Sequence, residues 1–323
     1  MHGALLVDKP SGPTSHDIVG FVRRILKTSR VGHTGTLDPL ATGLLLLLVG
    51  HATRLSQFLV TDEKEYIADV RLGIATPTYD AASLGAEVGG WGVEVGSSKS
   101  TRPSRTEIEE ALDAFRGTFL QTPPPFSAKK VEGTRAYEKA RKNQPVQLQP
   151  VAVTVRELEV LGSNSSEPTG FQPTSSPQPP TSSLLRLRVA ASAGFYVRSL
   201  AHDIGQRLGC GAHLEALRRT RVGRFRVDEA VTLEALQDPG TSSGHLIPMN
   251  TLLDEIPAVR LTDEGIHRAV HGNSLTPRHL VGQAPVPPAG PNTRMRLLDG
   301  DGSLLAVAEW RPDGLLHPVL VLR

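Results

Sequence analysis

Hydrophobic spacing divides the chain into helix-period and strand-period stretches. Ile18, Val22 and Ile25 recur at steps of four and three, the spacing of one helix face, and Thr14 with Asp17 ahead of them forms a capping box. Ile108, Leu112 and Phe115 repeat the pattern; Thr106 with Glu109 predicts the start of this second helix and Gly117 its C-terminal stop. Strands alternate instead. Tyr66, Ala68, Val70 and Leu72 share one face opposite Glu65, Asp69 and Arg71, and Leu185, Leu187 and Val189 oppose Arg186 and Arg188. Leu44 to Val49 is an uninterrupted apolar run of six. Helices and strands mixed through about residue 250 predict an α+β architecture. Beyond them, short apolar runs punctuated by Asp299-Gly300 and Asp313-Gly314 and ending in Val319 to Leu322 predict a small β domain.

Composition alters this picture at three places. Residues 83–105 are rich in Gly and Ser, and residues 162–183 in Ser, Pro and Thr. Such segments bury too little apolar surface to offset the entropy of ordering, so they predict flexible surface insertions. A third, Pro-rich stretch spans 284–292. No apolar run is long enough to span a bilayer, and Asp8 and Lys9 interrupt the N-terminal segment before a signal-peptide core forms, so the expected location is the cytoplasm, without a membrane. A single cysteine, Cys210, excludes a disulfide framework and cysteine-clustered metal sites. His267-x-x-x-His271 lacks a third ligand, and no metal is expected.

The net charge is only +2, yet the cations cluster. Arg23, Arg24, Lys27 and Arg30 form one group, Lys129, Lys130, Arg135, Lys139, Arg141 and Lys142 a second, and Arg218, Arg219, Arg221, Arg224 and Arg226 a third. Positive patches on a near-neutral protein suit local contact with a nucleic-acid backbone.

The sharpest candidate chemistry lies in Gly32-His-Thr-Gly-Thr-Leu-Asp38-Pro-Leu-Ala-Thr-Gly43. Pro39 drives Asp38 towards an extended conformation, and the flanking glycines permit tight turns, so this loop holds one carboxylate at a set angle. The run resembles, over twelve consecutive residues, the signature loop of the TruB family of tRNA pseudouridine synthases. The resemblance continues through Lys9-Pro10, Lys64-Glu-Tyr66, Pro124-Pro-Phe-Ser-Ala-Lys-Lys130, Gly194-Phe-Tyr-Val-Arg198, Asp203-Ile-Gly205 and Leu217-Arg-Arg219.

That resemblance implies a pseudouridine synthase fold over residues 1–254, with a mixed, largely antiparallel central sheet flanked by helices, and a PUA-like RNA-binding domain over 255–323. It implies conversion of uridine 55 in the tRNA T-loop to pseudouridine, without a cofactor, by a monomer, with no protein partner implied. Asp38 would be the nucleophile, and attack at C6 of the base or at C1′ of the ribose both remain open. Arg198 would ion-pair with it, since a guanidinium holds a carboxylate at two points. Tyr66 would give the flipped base an aromatic face, with Tyr196 and Leu217 along the pocket wall. His33 would position the displaced nucleotide, Lys9 and Lys130 would support the site, and residues 121–142 would close on the T-arm. The chain departs from the family in reading Thr76-Pro-Thr-Tyr-Asp80, without the usual first acid, and in having Ser83 at a usual glycine, which bears on RNA contacts near 76–85. A non-catalytic RNA-binding protein on the same scaffold is the main rival reading, and the intact Asp38 argues against it. A nucleotide-binding enzyme has little support, because no Gly-Lys-Ser/Thr or Gly-x-Gly-x-x-Gly pattern follows a strand.

Overall fold

The computed structural model describes residues 1–60, 63–83, 94–95, 103–127, 129–131, 134–141, 148–161, 183–238, 244–282 and 293–322. The elements used below are β1 (Gly3–Lys9), α1 (Ser15–Ile25), β2 (Val31–His33), β3 (Thr42–Val49), β4 (Lys64–Leu72), α2 (Arg105–Asp113), β5 (Gly117–Gln121), β6 (Val151–Val160), β7 (Ser183–Ala191), α3 (Val197–Leu208), β8 (Ala212–Val222), β9 (Phe225–Arg226) and β10 (Ile247–Pro248). The C-terminal part adds β11 (Ala258–Arg260), α4 (Asp263–Val270), β12 (Arg294–Leu298), β13 (Leu304–Trp310) and β14 (Leu316–Val321).

Strands β1 to β10 form one sheet in the order β10-β1-β3-β8-β4-β7-β6-β5, with β2 beside β3 and β9 beside β8. Every pairing is antiparallel except that of β8 with β3, which lasts two residues, Arg218 beside Thr42 and Arg219 beside Gly43. The predicted mixed, largely antiparallel sheet is therefore present. One edge of β3 is shared: β8 takes its first residues and β2 its last, Val31 to His33 against Leu47 to Val49. The sheet forks there, and the loop carrying Asp38 runs between the two prongs.

The apolar run in β3 has a simple cause. Leu44, Leu46 and Leu48 face the C-terminal sheet, whereas Leu45, Leu47 and Val49 pack with Ile18, Val19 and Val22 of α1, so both faces of the strand are buried. A third cluster joins Ala68, Val70 and Leu72 of β4 and Leu185, Leu187 and Val189 of β7 to α2 and α3, as the alternation predicts. The opposite face of β4 is polar but not solvated. Asp69 and Arg71 are buried, Asp69 accepting from Arg186 Nε at 2.7 Å and Arg71 pairing with Glu215 at 3.3 Å. Cross-strand pairing lets a charged face be covered.

Capping differs from expectation at α2. Ser104, extended at φ −69° and ψ 162°, caps the helix with Glu107 closing the box, two residues before the predicted pair, while Glu109 instead receives Arg116 Nη2 at 3.0 Å. Two Ser/Thr-x-x-Glu patterns overlap here, and the earlier one begins the helix. Gly117 lies beyond the helix and opens β5 at φ +77°. The Thr14–Asp17 box at α1 is present as predicted.

Strands β11 to β14 form a separate four-stranded sheet with α4, and both Asp-Gly turns connect its hairpins: Asp299 accepts from Ser303 N at 2.8 Å and Asp313 from Leu315 N at 3.0 Å. This sheet shares a core with the larger one, since Leu304, Val307, Leu320 and Leu322 pack on Ala4, Leu6, Leu44 and Leu46. His51 and Arg54 add hydrogen bonds to the carbonyls of Leu322 and Val321. Among the described residues no helix is long and apolar enough to cross a membrane, and no cluster of three or more His, Cys, Asp or Glu could hold a metal ion. Most of 83–105 and 162–183, and all of 284–292, lie outside the described residues.

Candidate active site

Three buried side chains anchor the loop between β2 and β3 from different sides. Lys9, at the end of β1, donates to the carbonyls of Ala41 at 2.7 Å, Pro10 at 2.8 Å and Pro39 at 3.3 Å. Ser15, the first residue of α1, clamps Leu37 from both directions, accepting from its N–H at 2.8 Å and donating to its carbonyl at 3.0 Å. Arg219, fully buried in the fork, donates Nε to Leu44 O at 2.7 Å, Nη2 to Gly35 O at 3.1 Å and Nη1 to Thr36 O at 3.4 Å. Asp38 stands between these anchors with its own side chain 35% exposed. A loop fixed at 35, 36, 37, 39 and 41 leaves its one carboxylate little freedom, which is preorganisation in structural terms.

Gly43 makes this geometry possible. A Cβ there would lie 2.3 Å from the carbonyl oxygen of Arg219 and 2.8 Å from its nitrogen, and the residue has φ +95°. Only glycine lets β3 and β8 approach closely enough for Arg219 to reach the loop.

Arg198, on the first turn of α3, faces Asp38 across the pocket. Its Nε lies 2.9 Å from Asp38 Oδ2, and Nη2 donates to Oδ1 at 3.3 Å. The rest of the guanidinium is held from behind: Nη1 donates to Thr78 O at 3.2 Å and lies 3.4 Å from Asp80 Oδ2, and Nη2 donates to Phe126 O at 3.0 Å. Asp80 is itself buried and accepts from Thr78 Oγ1 at 2.7 Å and Ala82 N at 3.1 Å. Burial pushes its carboxyl upward, opposed by the positive charge of Arg198.

The start of α3 is tied to the end of β5 and the residue that follows it. Gln121 clamps the backbone of Tyr196, accepting from its N–H at 2.8 Å and donating to its carbonyl at 3.0 Å, and Ser199 Oγ donates to Thr122 O at 2.7 Å. These bonds seat Tyr196 at the pocket. At the far end of α3, a Cβ on Gly205 would lie 2.1 Å from Ala212 N, so the helix packs directly onto β8.

The resulting pocket has a volume of about 300 Å³ and brings together Asp38, Tyr66, Tyr196, Arg198, Leu217 and Arg219. Tyr66 and Arg219 are cross-strand partners, and both side chains line the pocket. The volume lies at the small end of ligand pockets and suits a single nucleoside. Of the other candidates, His33 lies on β2 outside the pocket lining; burial, with Arg219 and His16 nearby, lowers its pKa, so it is neutral near pH 7. Lys9 lies beneath the loop, its ammonium pushed down to about 8 by burial. The backbone of Lys130 pairs with Arg135 in a two-residue hairpin, and its side chain lies outside the described residues.

One expectation needs correction. The arginines of β8 and β9 do not form a free cationic patch: Arg218 pairs with Asp8 at 2.7 Å, Arg221 with Glu63 at 2.9 Å, Arg224 with Asp254 at 2.9 Å and Arg226 with Asp228 at 3.6 Å, while Arg219 is buried. The described segment 76–83 backs Arg198. Thr76, Thr78, Asp80 and Ser83 are all buried, and the Thr78 and Ser83 hydroxyls are hydrogen-bonded at 2.8 Å. Sequence reasoning missed Ser15, Asp80 and Arg219 as parts of the site, although Asp80 and Arg219 lie within quoted motifs.

A forked mixed sheet thus holds one aspartate against a buried arginine, beside a tyrosine-walled pocket of nucleoside size. Residues 23–197 match the model of the TruB family pseudouridylate synthase N-terminal domain, and residues 198–254 that of the tRNA pseudouridylate synthase B C-terminal domain. The chain belongs to the TruB family. The seam between the two matches falls between Val197 and Arg198, inside the site, although the sheet runs on across it. Relatives named tRNA pseudouridine synthase B include those of Solibacter usitatus, 40% identical with all of both chains covered, and Aquifex aeolicus, 44% identical over 85% of this chain and 87% of that one. Among solved structures, one of an H/ACA RNP bound to a substrate RNA containing 2′-deoxyuridine has the same fold, with TM-score 0.67 and 22% identity over 99% of this chain and 85% of that one.

Proposed function

We propose that this chain converts uridine to pseudouridine in tRNA at position 55 of the T-loop, with Asp38 as the nucleophile. The observation that carries the reading is the half-exposed Asp38 carboxylate, held at both oxygens by Arg198 in a pocket of nucleoside size. The tRNA substrate is supported by the names of relatives about 40% identical over the full chain. The reaction is an isomerisation: the glycosidic C1′–N1 bond breaks, the uracil turns, and a C1′–C5 bond forms while the C5 hydrogen leaves as a proton and N1 takes up a proton. Atoms and electrons balance without a cofactor.

The flipped nucleotide enters beside Tyr66, and Tyr196 and Leu217 close the wall, which is the aromatic and apolar environment an unstacked base requires. Arg198, in contact with both oxygens of Asp38, fixes the orientation of the nucleophile. His33, outside the pocket lining, contacts the displaced RNA rather than the reacting base. Residues 121–142 grip the T-arm, and 255–323 act as a PUA-like RNA-binding domain. The test is site-resolved pseudouridine mapping of an unmodified tRNA transcript. Wild type converts the T-loop uridine, whereas Asp38→Asn binds the RNA within about tenfold but gives no conversion. Near-wild-type turnover in Asp38→Asn would remove the nucleophile assignment, and tight binding without conversion by wild type would favour an RNA-binding protein.

A further inference from the structure

Tyr79 has φ +64°, in the left-handed region that a bulky side chain adopts only when its surroundings hold it there. Lys27, the other non-glycine residue in that region among those described, follows the C-cap of α1, where a left-handed residue ends a helix. Tyr79 ends no helix. It sits between Thr78 and Asp80, the two residues that converge on the same nitrogen, Nη1, of Arg198.

Its ring lies flat on that of His202, with centroids 3.8 Å apart and planes 10° apart. Arg198 and His202 stand four residues apart on α3 and so share one helix face. The 78–80 turn therefore docks on successive turns of one helix, by its polar groups on Arg198 and by the Tyr79 ring on His202. Backbone bonds complete the seat: Tyr79 N donates to Thr76 O at 3.1 Å, and Tyr79 O accepts from Leu214 N at 2.9 Å. A left-handed residue at 79 reverses the chain, which brings the carbonyl before it and the carboxylate after it to one point.

We propose that the Tyr79–His202 stack is a positioning device for the reaction, locking the 78–80 turn so that Arg198 is held from behind and presents Asp38 to the substrate at a fixed angle. The proposal rests on the Asp38–Arg198 reading above. Burial and the nearby Asp203 push the Tyr79 phenol up, so the ring is neutral at working pH.

Tyr79→Gly, Tyr79→Phe and His202→Ala test it. Glycine adopts φ +64° without strain, so Tyr79→Gly leaves the turn accessible and removes only the ring, while Tyr79→Phe restores the ring. Two readouts are taken: kcat and KM on a tRNA transcript, and the exchange rate of the Arg198 side-chain N–H protons by ¹⁵N NMR of the free protein. Tyr79→Gly and His202→Ala lower kcat about tenfold or more with KM within about twofold, and Arg198 exchange accelerates; Tyr79→Phe restores both. Wild-type kcat in Tyr79→Gly, or a fall in kcat with Arg198 exchange unchanged, overturns the proposal. The NMR readout needs no RNA, so failure of the wild-type chain to modify tRNA would overturn the assigned function while the holding of Arg198 is still decided.

Discussion

Replacing Arg198 by lysine keeps the charge and removes the shape. The guanidinium makes five contacts through three nitrogens: both Asp38 oxygens, the carbonyls of Thr78 and Phe126, and Asp80. An ammonium is a single point and holds one Asp38 oxygen rather than two. Losing one charge-assisted contact costs about 1.5–3 kcal/mol. If that contact orients the nucleophile in the transition state, the turnover rate falls about 10- to 150-fold. Asp80, only 4% exposed, also loses its fixed partner, and burial already drives its carboxyl upward, so it takes up a proton more readily in the variant. Single-turnover release of tritium from C5-labelled uridine in a tRNA transcript measures the chemical step, and a thermal melt shows whether the variant is folded. A folded Arg198→Lys protein working within about threefold of wild type would refute two-point holding of Asp38.

Gly43→Ala forces a Cβ to 2.3 Å from the Arg219 carbonyl at φ +95°. Left-handed strain of about 1–2 kcal/mol and overpacking of about 1–3 kcal/mol lower stability by about 2–5 kcal/mol, read as a shifted urea midpoint; an unchanged midpoint would mean that the fork has slack. Burial raises the Asp203 carboxyl to about 6, so the folded state holds that proton more tightly than the unfolded chain, where the ordinary value is 3.8. Its contribution is complete below the unfolded value and is lost as pH rises from about 4 to about 6, up to about 3 kcal/mol in all. Wild type therefore loses stability relative to Asp203→Asn across that window, and parallel stability–pH curves for the two would show that Asp203 titrates normally.

The residues that carry local instructions were the legible ones. Asp38 was readable because proline and glycines around one acid describe a constrained loop, and Arg198, Tyr66, Tyr196 and Leu217 because their motifs retain spacing. All five line one pocket. Ser15, Asp80 and Arg219 were missed because their roles depend on partners distant in sequence. Ser15 clamps a residue 22 positions away, and Arg219 reaches Leu44 across 175. Within its own strand Arg219 is one of several arginines, and only the fork distinguishes it. The buried polar face of β4 escaped for the same reason, since alternation marks which residues oppose one another and not whether the second face meets water.

Arginine serves twice as a buried fastener at this site. Arg219 satisfies three carbonyls at a point where β2 and β8 diverge and no ladder can pair them, and Arg198 satisfies two carbonyls and two carboxylates. A planar group with five fixed donors suits such a junction, whereas a hydrophobic replacement would leave several buried acceptors unpaired. The consequence reaches RNA binding. With the β8 and β9 arginines paired or buried, phosphate contact falls to cations elsewhere, and Arg24, Lys27 and Arg30 are exposed with no ion-pair partner among the described residues. They sit on and just past α1, the helix whose first residue clamps Leu37. The element that fixes the Asp38 loop thus also presents free positive charge to a polyanion.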